Sequence, residues 1–163
     1  LDVSRIEAGR VVLERAPFGL RGLLVDLERH FAPSAAAKGL QFVLEIAPNV
    51  PSAVVGDATR VRQVLFNLLG NALKFTERGA VTLSVSARER SVDELELELR
   101  VRDTGIGIAP ERLEAIFEKF TQGDASTTRR FGGSGLGLSI ARDLVRLMGG
   151  DVRVQSELGR GSE

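Results

Sequence analysis

The sequence predicts an α+β fold, a two-layer α/β sandwich whose mixed, mostly antiparallel sheet is covered on one face by helices. Three observations predict it. Residues 80–89 (AVTLSVSARE) and 95–103 (LELELRVRD) both alternate apolar and polar side chains across a short charged connection, as a hairpin with one buried face does. Residues 18–38 and 57–75 each place their apolar side chains at helical spacing on a single face. Helices and strands are mixed along the chain without the regular strand–helix alternation of a parallel sheet.

Each element can be justified in order. Residues 1–9 (LDVSRIEAG) read as the last turns of a helix closed by Gly9, and 11–15 (VVLER) as a short strand. The helix over 18–38 carries Leu20, Leu23, Leu24, Leu27 and Phe31 on its apolar face. Pro33 is expected to kink or interrupt it, and Gly39 to end it. LQFVLEI (40–46) alternates as a strand, and Pro48 and Pro51 bound a loop. Asp57 is placed to cap the helix running to Phe75. Gly79 leads into the first hairpin strand, and 91–94 form the turn. A short helix is expected over 111–120. Residues 121–135, rich in Gly, Ser and Thr, read as a long mobile loop of the kind that carries function. A helix over 136–148 ends at Gly149 and Gly150, and DVRVQSE (151–157) reads as a strand.

Length and composition exclude several classes. The chain has 163 residues, room for one domain, with 43% apolar and 27% charged residues. The 22 basic and 22 acidic side chains cancel, which counts against a nucleic-acid partner. There is no cysteine, hence no disulfide and no thiolate chemistry, a composition that suits the cytoplasm. Apolar runs are far shorter than a membrane span. The chain lacks an initiator methionine, and both ends read as cuts in a longer protein, so any membrane segment of the parent would lie outside these residues.

Three constellations carry chemistry. On the 57–75 helix Val61, Val64, Leu65, Leu68, Leu69 and Ala72 make the apolar face, while Asn67, Asn71 and Lys74 form a second stripe beside it at i, i+4 and i+7. Two amides and an ammonium in line can hold a metal ion and phosphate oxygens, the amide carbonyl being a hard ligand suited to Mg²⁺. For such an asparagine pair taken alone, a polar stripe that caps neighbouring loops or faces water is the plainer reading. DTGIGI (103–108) leaves a strand directly, with Asp103 able to accept from a buried ligand and Gly105 and Gly107 permitting close backbone approach. Alone it is an ordinary turn. FGGSGLGLSI (131–140) sets Gly132, Gly133, Gly135 and Gly137 at a helix entrance, where free backbone N–H groups and the helix dipole favour an anion. It is neither a P-loop, since no GK[ST] follows, nor a dinucleotide fingerprint, since no strand precedes it.

Together, in this order and spacing, these stretches resemble the N, G1, F and G2 boxes of the sensor histidine kinases, within the GHKL group of ATP-binding folds. The matching stretches are QVLFNLLGNALKFT (63–76), DTGIGI (103–108), IFEKFTQGD (116–124) and GGSGLGL (132–138). SRIEAGRVVLE at the start resembles the junction where the family's second dimerisation helix enters the kinase domain. The resemblance implies the Bergerat fold, with residues 1–10 ending that helix and 11–163 forming the ATP-binding catalytic domain, its C-terminal strand cut short.

The resemblance also implies roles. Asn71 would coordinate Mg²⁺ bridging the phosphates of ATP, and Lys74 would reach them. Asn67 stands where related ATPases carry a glutamate base; an amide cannot take a proton from water, so transfer to an acceptor is implied over hydrolysis. Asp103 would accept from the adenine amino group, Gly105 and Gly107 would shape its pocket, and Phe117 and Phe120 would anchor a lid spanning 104–135. Gly132, Gly133, Ser134, Gly135, Leu136 and Gly137 would line the phosphate side, with Ser134 keeping the hydroxyl of the more usual threonine. Gln122 and Arg129 are candidates for the γ-phosphate, against the plainer reading of a solvated Arg129–Arg130 pair. The implied partners are a histidine-bearing dimerisation domain of the same protein and a response-regulator receiver domain, in a homodimeric parent of which this chain would be a monomeric piece. His30, the single histidine, falls in the 18–38 helix and reads as a partly exposed helix residue rather than the phosphoacceptor. A GHKL-type ATPase and a nucleotide-binding module without transfer activity are the alternatives.

Overall fold

The computed structural model describes residues 11–118 and 136–163. The helix expected over 1–9 lies outside them. So do Phe120, Gln122, Arg129, Gly132, Gly133, Ser134 and Gly135.

Two sheets and three α-helices are formed among the described residues. Strand β1 (Ala16–Gly19) leads into helix α1 (Leu20–Ala37), followed by β2 (Gln41–Ile46), β3 (Ala53–Gly56) and helix α2 (Ala58–Phe75). The hairpin β4 (Ala80–Glu89) and β5 (Leu95–Asp103) comes next. After it stand helix α3 (Gly137–Leu147) and the short strands β6 (Ser156–Glu157) and β7 (Gly161–Ser162). The main sheet has the order β2-β4-β5-β7-β6; β2 and β4 are parallel and every other pair antiparallel. The parallel pair forces a crossover, which β3 and α2 supply. Strands β1 and β3 form a separate antiparallel pair.

The core lies between the main sheet and the first two helices. Leu20, Leu24 and Leu27 of α1, Leu65 and Leu69 of α2, and Val81, Leu83 and Val85 of β4 are buried together. A second, smaller cluster of Val64, Ala141 and Leu144 joins α2 to α3. Helix α2 thus packs on the sheet and α1 along one stripe and on α3 along another. No helix among the described residues is long and apolar enough to cross a membrane.

The local signals explain the helix ends. Asp57 caps α2 through Oδ1, which accepts from the Arg60 amide at 2.9 Å. Gly39, at φ +71, closes α1. The Leu40 amide bonds the Ala35 carbonyl and the Gly39 amide bonds that of Ala36, both at 2.9 Å, which is the Schellman arrangement.

Several expectations need correcting. Residues 11–15 form no ladder; the Glu14 amide donates to Asp57 Oδ2 at 3.0 Å, and the strand lies just beyond, at Ala16–Gly19. The helix begins at Leu20, leaving Phe18 in β1. Pro33 does not interrupt it, since Pro33 is exposed and the carbonyl it leaves without an intrahelical donor can turn to water. Strand β3 stands just beyond the loop bounded by Pro48 and Pro51, where no element was expected. Of the helix expected over 111–120, the described part, residues 111–118, forms two single 3₁₀ turns, Pro110–Arg112 and Ala115–Phe117. Of 151–157, Ser156–Glu157 is strand, and Gln155 continues the pairing by exchanging main-chain hydrogen bonds with Glu163. The chain after β6 returns as β7, which inserts between β5 and β6 but meets β5 only at Asp103. Among the described residues, β5 from Leu95 to Arg102 is therefore paired on its β4 side alone.

Candidate functional site

The polar stripe of α2 lies between two structural junctions. At its N-terminal end Asn67 faces the entrance of α3, where a Cβ built on Gly137 would stand 3.6 Å from Asn67 Oδ1. Leu136 occupies the cap position of α3, and its carbonyl accepts from the Ile140 amide at 3.0 Å and from Ser139 Oγ at 2.9 Å. At the C-terminal end the Phe75 carbonyl accepts from the Ile106 amide at 3.2 Å, joining α2 to the turn that follows β5. From Asn67 to Phe75 the helix rises about 12 Å. Asn71, half-buried, stands between the two junctions.

Lys74 does not point simply along this line. Its Nζ lies 4.8 Å from the centroid of the Phe75 ring. It also borders a cleft of about 360 Å³ between α1 and α2, with His30, Ser34 and Lys38. His30 is exposed and its ring meets those of Phe31 and Phe66, as a helix-surface residue.

Asp103 closes β5 and is half-buried. Its Oδ1 accepts from the Gly105 amide at 2.8 Å. Burial pushes the carboxyl above the ordinary aspartate value, against the pull of hydrogen bonds from the Gly105 and Ser162 amides. A partly desolvated carboxylate with the Gly105 amide on Oδ1 has lone pairs left to accept a further donor.

The glycines of 103–108 are approached closely by main chain. A Cβ on Gly105 would meet the Phe75 carbonyl oxygen, and one on Gly107, at φ +67, the Glu157 carbonyl oxygen. What approaches them closely is the protein's own backbone. Thr104 Oγ1 accepts from the Ala80 amide and donates to the Arg78 carbonyl, each at 3.0 Å. The Gly159 amide bonds the Ile106 carbonyl at 2.8 Å, and the Ile108 amide bonds Ser156 Oγ at 2.7 Å. Residues 104–108 are thus tied by hydrogen bonds to the end of α2, the start of β4 and the segment 156–159. Phe117 is buried, with the Arg142 guanidinium 5.3 Å from its ring centroid, which ties the second 3₁₀ turn to α3.

Sequence reasoning passed over Phe75, whose carbonyl fixes the turn, and Ser156, Gly161 and Ser162. Gly-Arg-Gly at 159–161 was a visible turn signal, but nothing local pointed it toward Asp103. Among the described residues no group of three His, Cys, Asp or Glu side chains could cage a metal. A lone amide oxygen such as that of Asn71 fits Mg²⁺ that arrives on phosphates and takes few protein ligands.

Residues 56–163 match the family model of the histidine kinase-, DNA gyrase B-, and HSP90-like ATPases. The signal transduction histidine-protein kinase BarA of Escherichia coli K12 is 45% identical over 162 residues, 99% of this chain. The sensor histidine kinase GacS of Pseudomonas protegens is 43% identical over the whole chain. The chain spans 18% of the length of each. Among solved structures, full-length ShkA in complex with AMPPNP superposes with a TM-score of 0.84 at 38% identity, over 98% of this chain and 32% of that one. The nucleotide-free catalytic domain of the histidine kinase ThkA gives 0.75 at 27% identity, over 91% of both chains.

Proposed function

The chain belongs to the family of histidine kinase-, DNA gyrase B-, and HSP90-like ATPases, and from that premise we propose that it binds Mg-ATP and donates the γ-phosphoryl group to a histidine on a separate dimerisation domain. In that reading residues 11–163 are the catalytic domain, residues 1–10 end the second dimerisation helix, and a receiver domain takes the phosphoryl group onward. The parent would be a homodimer and this chain alone a monomer.

The observation that carries the reading is Asn67. Its amide stands against the entrance of α3, where a hydrolysing relative needs a base, and an amide oxygen is not a base at neutral pH. Water is therefore not activated there, and the productive nucleophile is one already competent, a neutral imidazole nitrogen. Its lone pair forms the P–N bond as the bond from γ-phosphorus to the bridging oxygen breaks, and ADP leaves with that electron pair. Such a transfer asks for alignment and charge neutralisation more than covalent catalysis.

The chain's own residues would supply those. The α3 entrance, Leu136 and Gly137 with the glycines and Ser134 before them, would direct backbone amides at the phosphates. Lys74, on its flexible stem, would leave the Phe75 ring to reach the same oxygens. Gln122 or Arg129 would meet the γ-phosphate, and Phe117 and Phe120 would hold the lid. Mg²⁺ bound through Asn71 would neutralise charge between the phosphates.

Asp103 would read the base. An ionised carboxylate only accepts hydrogen bonds; adenine offers it an amino group where guanine presents a carbonyl oxygen. An unpaired buried polar group costs about 1–3 kcal/mol, a preference for ATP over GTP of roughly tenfold or more.

The test is incubation with γ-labelled ATP, with and without a dimerisation domain carrying its histidine. Label is expected on the added domain and not on this chain. Phosphate released at the same rate without acceptor would make the chain an ATPase. Bound nucleotide with neither outcome would make it a binding module.

A further inference from the structure

We propose that the cleft between α1 and α2 is a second binding site, for a small organic anion with a flat apolar body, and that an occupant there draws Lys74 away from the nucleotide. The second clause rests on the proposal that Lys74 reaches the phosphates of ATP; the site itself does not.

Facing residues of the two helices build the cleft. His30 and Ser34 of α1 lie one turn apart, and Lys38 follows a turn further on, just past the helix end. Gly70 and Lys74 of α2, also one turn apart, lie opposite them. A Cβ added at Gly70 would meet nothing within 4 Å. Packing therefore does not require glycine there, and glycine inside a helix costs stability. What its missing side chain leaves is the opening, about 360 Å³, within the range of small-molecule pockets.

The base of the cleft is apolar, since Phe31 and Leu73 are buried. The His30 ring stands edge-on to Phe31 with centroids 4.9 Å apart, and 4.8 Å from that of Phe66, which gives one wall an aromatic surface. The mouth is basic: among the described residues Lys38 and Lys74 line it and no carboxylate does. Lys38 Nζ donates to the Leu73 carbonyl at 2.9 Å, one of the closing carbonyls of α2 that lack an intrahelical donor. That bond holds the ammonium beside the opening and uses one of its three N–H donors. An apolar base beneath an anchored ammonium suits a ring carrying a carboxylate, sulfonate or phosphate.

Lys74 links this cleft to the nucleotide. It borders the opening, with Nζ 4.8 Å from the Phe75 ring centroid. One ammonium cannot attend an anion in the cleft and the phosphates of ATP at once. Each ligand therefore weakens the other, and by the same factor, as linkage requires.

The probe is 2-naphthoate, with 2-naphthalenemethanol as its uncharged counterpart. His30 is the single histidine of the chain, so its ring-proton NMR signals report on the cleft. Naphthoate should shift them saturably with a Kd on the order of 1 mM, and the alcohol should bind about two- to fivefold more weakly. Gly70→Leu and Ser34→Leu, which fill the opening from opposite walls, should each abolish the shift; one of them shown to be folded by circular dichroism suffices. No saturable shift in native protein, an unchanged shift in a folded filled variant, or equal affinity for the alcohol overturns the anion site. Calorimetry then measures Mg-ATP with and without saturating naphthoate, and the reverse. Both Kd values should rise by one common factor, about two- to fivefold, and neither should rise in Gly70→Leu. Independent affinities in native protein, or competition that persists in Gly70→Leu and so places naphthoate in the nucleotide site, overturn the coupling. Lys74→Gln that binds Mg-ATP as tightly as native protein overturns the phosphate role of Lys74 instead.

Discussion

Gly105→Ala tests the rigidity of the turn proposed to read the base. The added Cβ would fall on the Phe75 carbonyl oxygen, 2.9 Å from that carbonyl's carbon and 2.8 Å from Asp103 Oδ1. None of these is the free end of a flexible side chain. The carbonyl ends α2, and the carboxylate is held by the Gly105 amide itself. The backbone must therefore move, at an overpacking cost of about 1–3 kcal/mol. The Ile106 amide to Phe75 carbonyl bond, already 3.2 Å, would lengthen further, adding about 1 kcal/mol. A total of roughly 2–4 kcal/mol leaves a domain of ordinary stability folded. It also shifts Asp103 away from α2, so ATP affinity should fall tenfold or more, since about 1.4 kcal/mol suffices for that. The chain has neither Trp nor Tyr, so urea unfolding is best followed by far-UV circular dichroism and binding by calorimetry. A variant within about 0.5 kcal/mol of native that binds ATP normally would refute the clamped turn.

Other substitutions separate folding from binding. Asn71→Ala should leave stability unchanged or raise it by about 0.5 kcal/mol through helix propensity, while Mg-ATP affinity drops at least tenfold, as calorimetry in magnesium would register; early melting with normal binding would make Asn71 structural. Gly70→Ala, in the middle of α2 with nothing within 4 Å of the new Cβ, should stabilise by about 0.5–1 kcal/mol, and a loss of stability on urea titration would show a neighbour there. Asp103 has a folded value raised above the ordinary 3.8, so its protonation favours the folded state, and that contribution is lost as pH rises through the raised value. Asp103→Asn should accordingly be more stable than native protein at pH 7, with the advantage shrinking as pH falls toward and below the ordinary value; urea midpoints along that series should converge, and divergence would reverse the sign.

How far the fold could be read depended on whether side-chain pattern and backbone partner coincided. The hairpin was legible to the residue, because β4 and β5 alternate, bury one face and pair with each other across a short turn. Residues 11–15 also alternate in burial over most of their length, yet they make no ladder strand. Alternation is a property of the side chains, whereas a strand needs a neighbouring backbone. At Glu14 the amide goes to the Asp57 carboxylate instead. Strand β3 failed in the opposite way: four residues between Pro51 and Asp57 are too few to show a period, and its partner, β1, lies across α1 and β2 in the sequence. Pro33 was overread because its exposure could not be known before the packing of α1 was.

The candidate site was legible as a set of residues and not as a set of contacts. Glycines in a turn after a strand suggested close approach by a ligand, and close approach is indeed what they serve, by other backbone. Gly107 faces the Glu157 carbonyl and Gly161 faces the Asp103 carbonyl, so each glycine lets its own segment cross the other's main chain. The partners are some fifty residues apart, and neither segment alone reveals the requirement. Both glycines have positive φ, so a side chain at either would meet an unfavourable backbone conformation and a carbonyl together. The consequence for function follows from this crossing. Because main chain meets main chain without intervening side chains, the end of β5 has few rotamers to adjust, and Asp103 projects from a surface that cannot easily adapt. In its proposed role as base reader, Asp103 would discriminate by leaving the wrong partner unsatisfied, since neither it nor its support could shift to make a replacement bond.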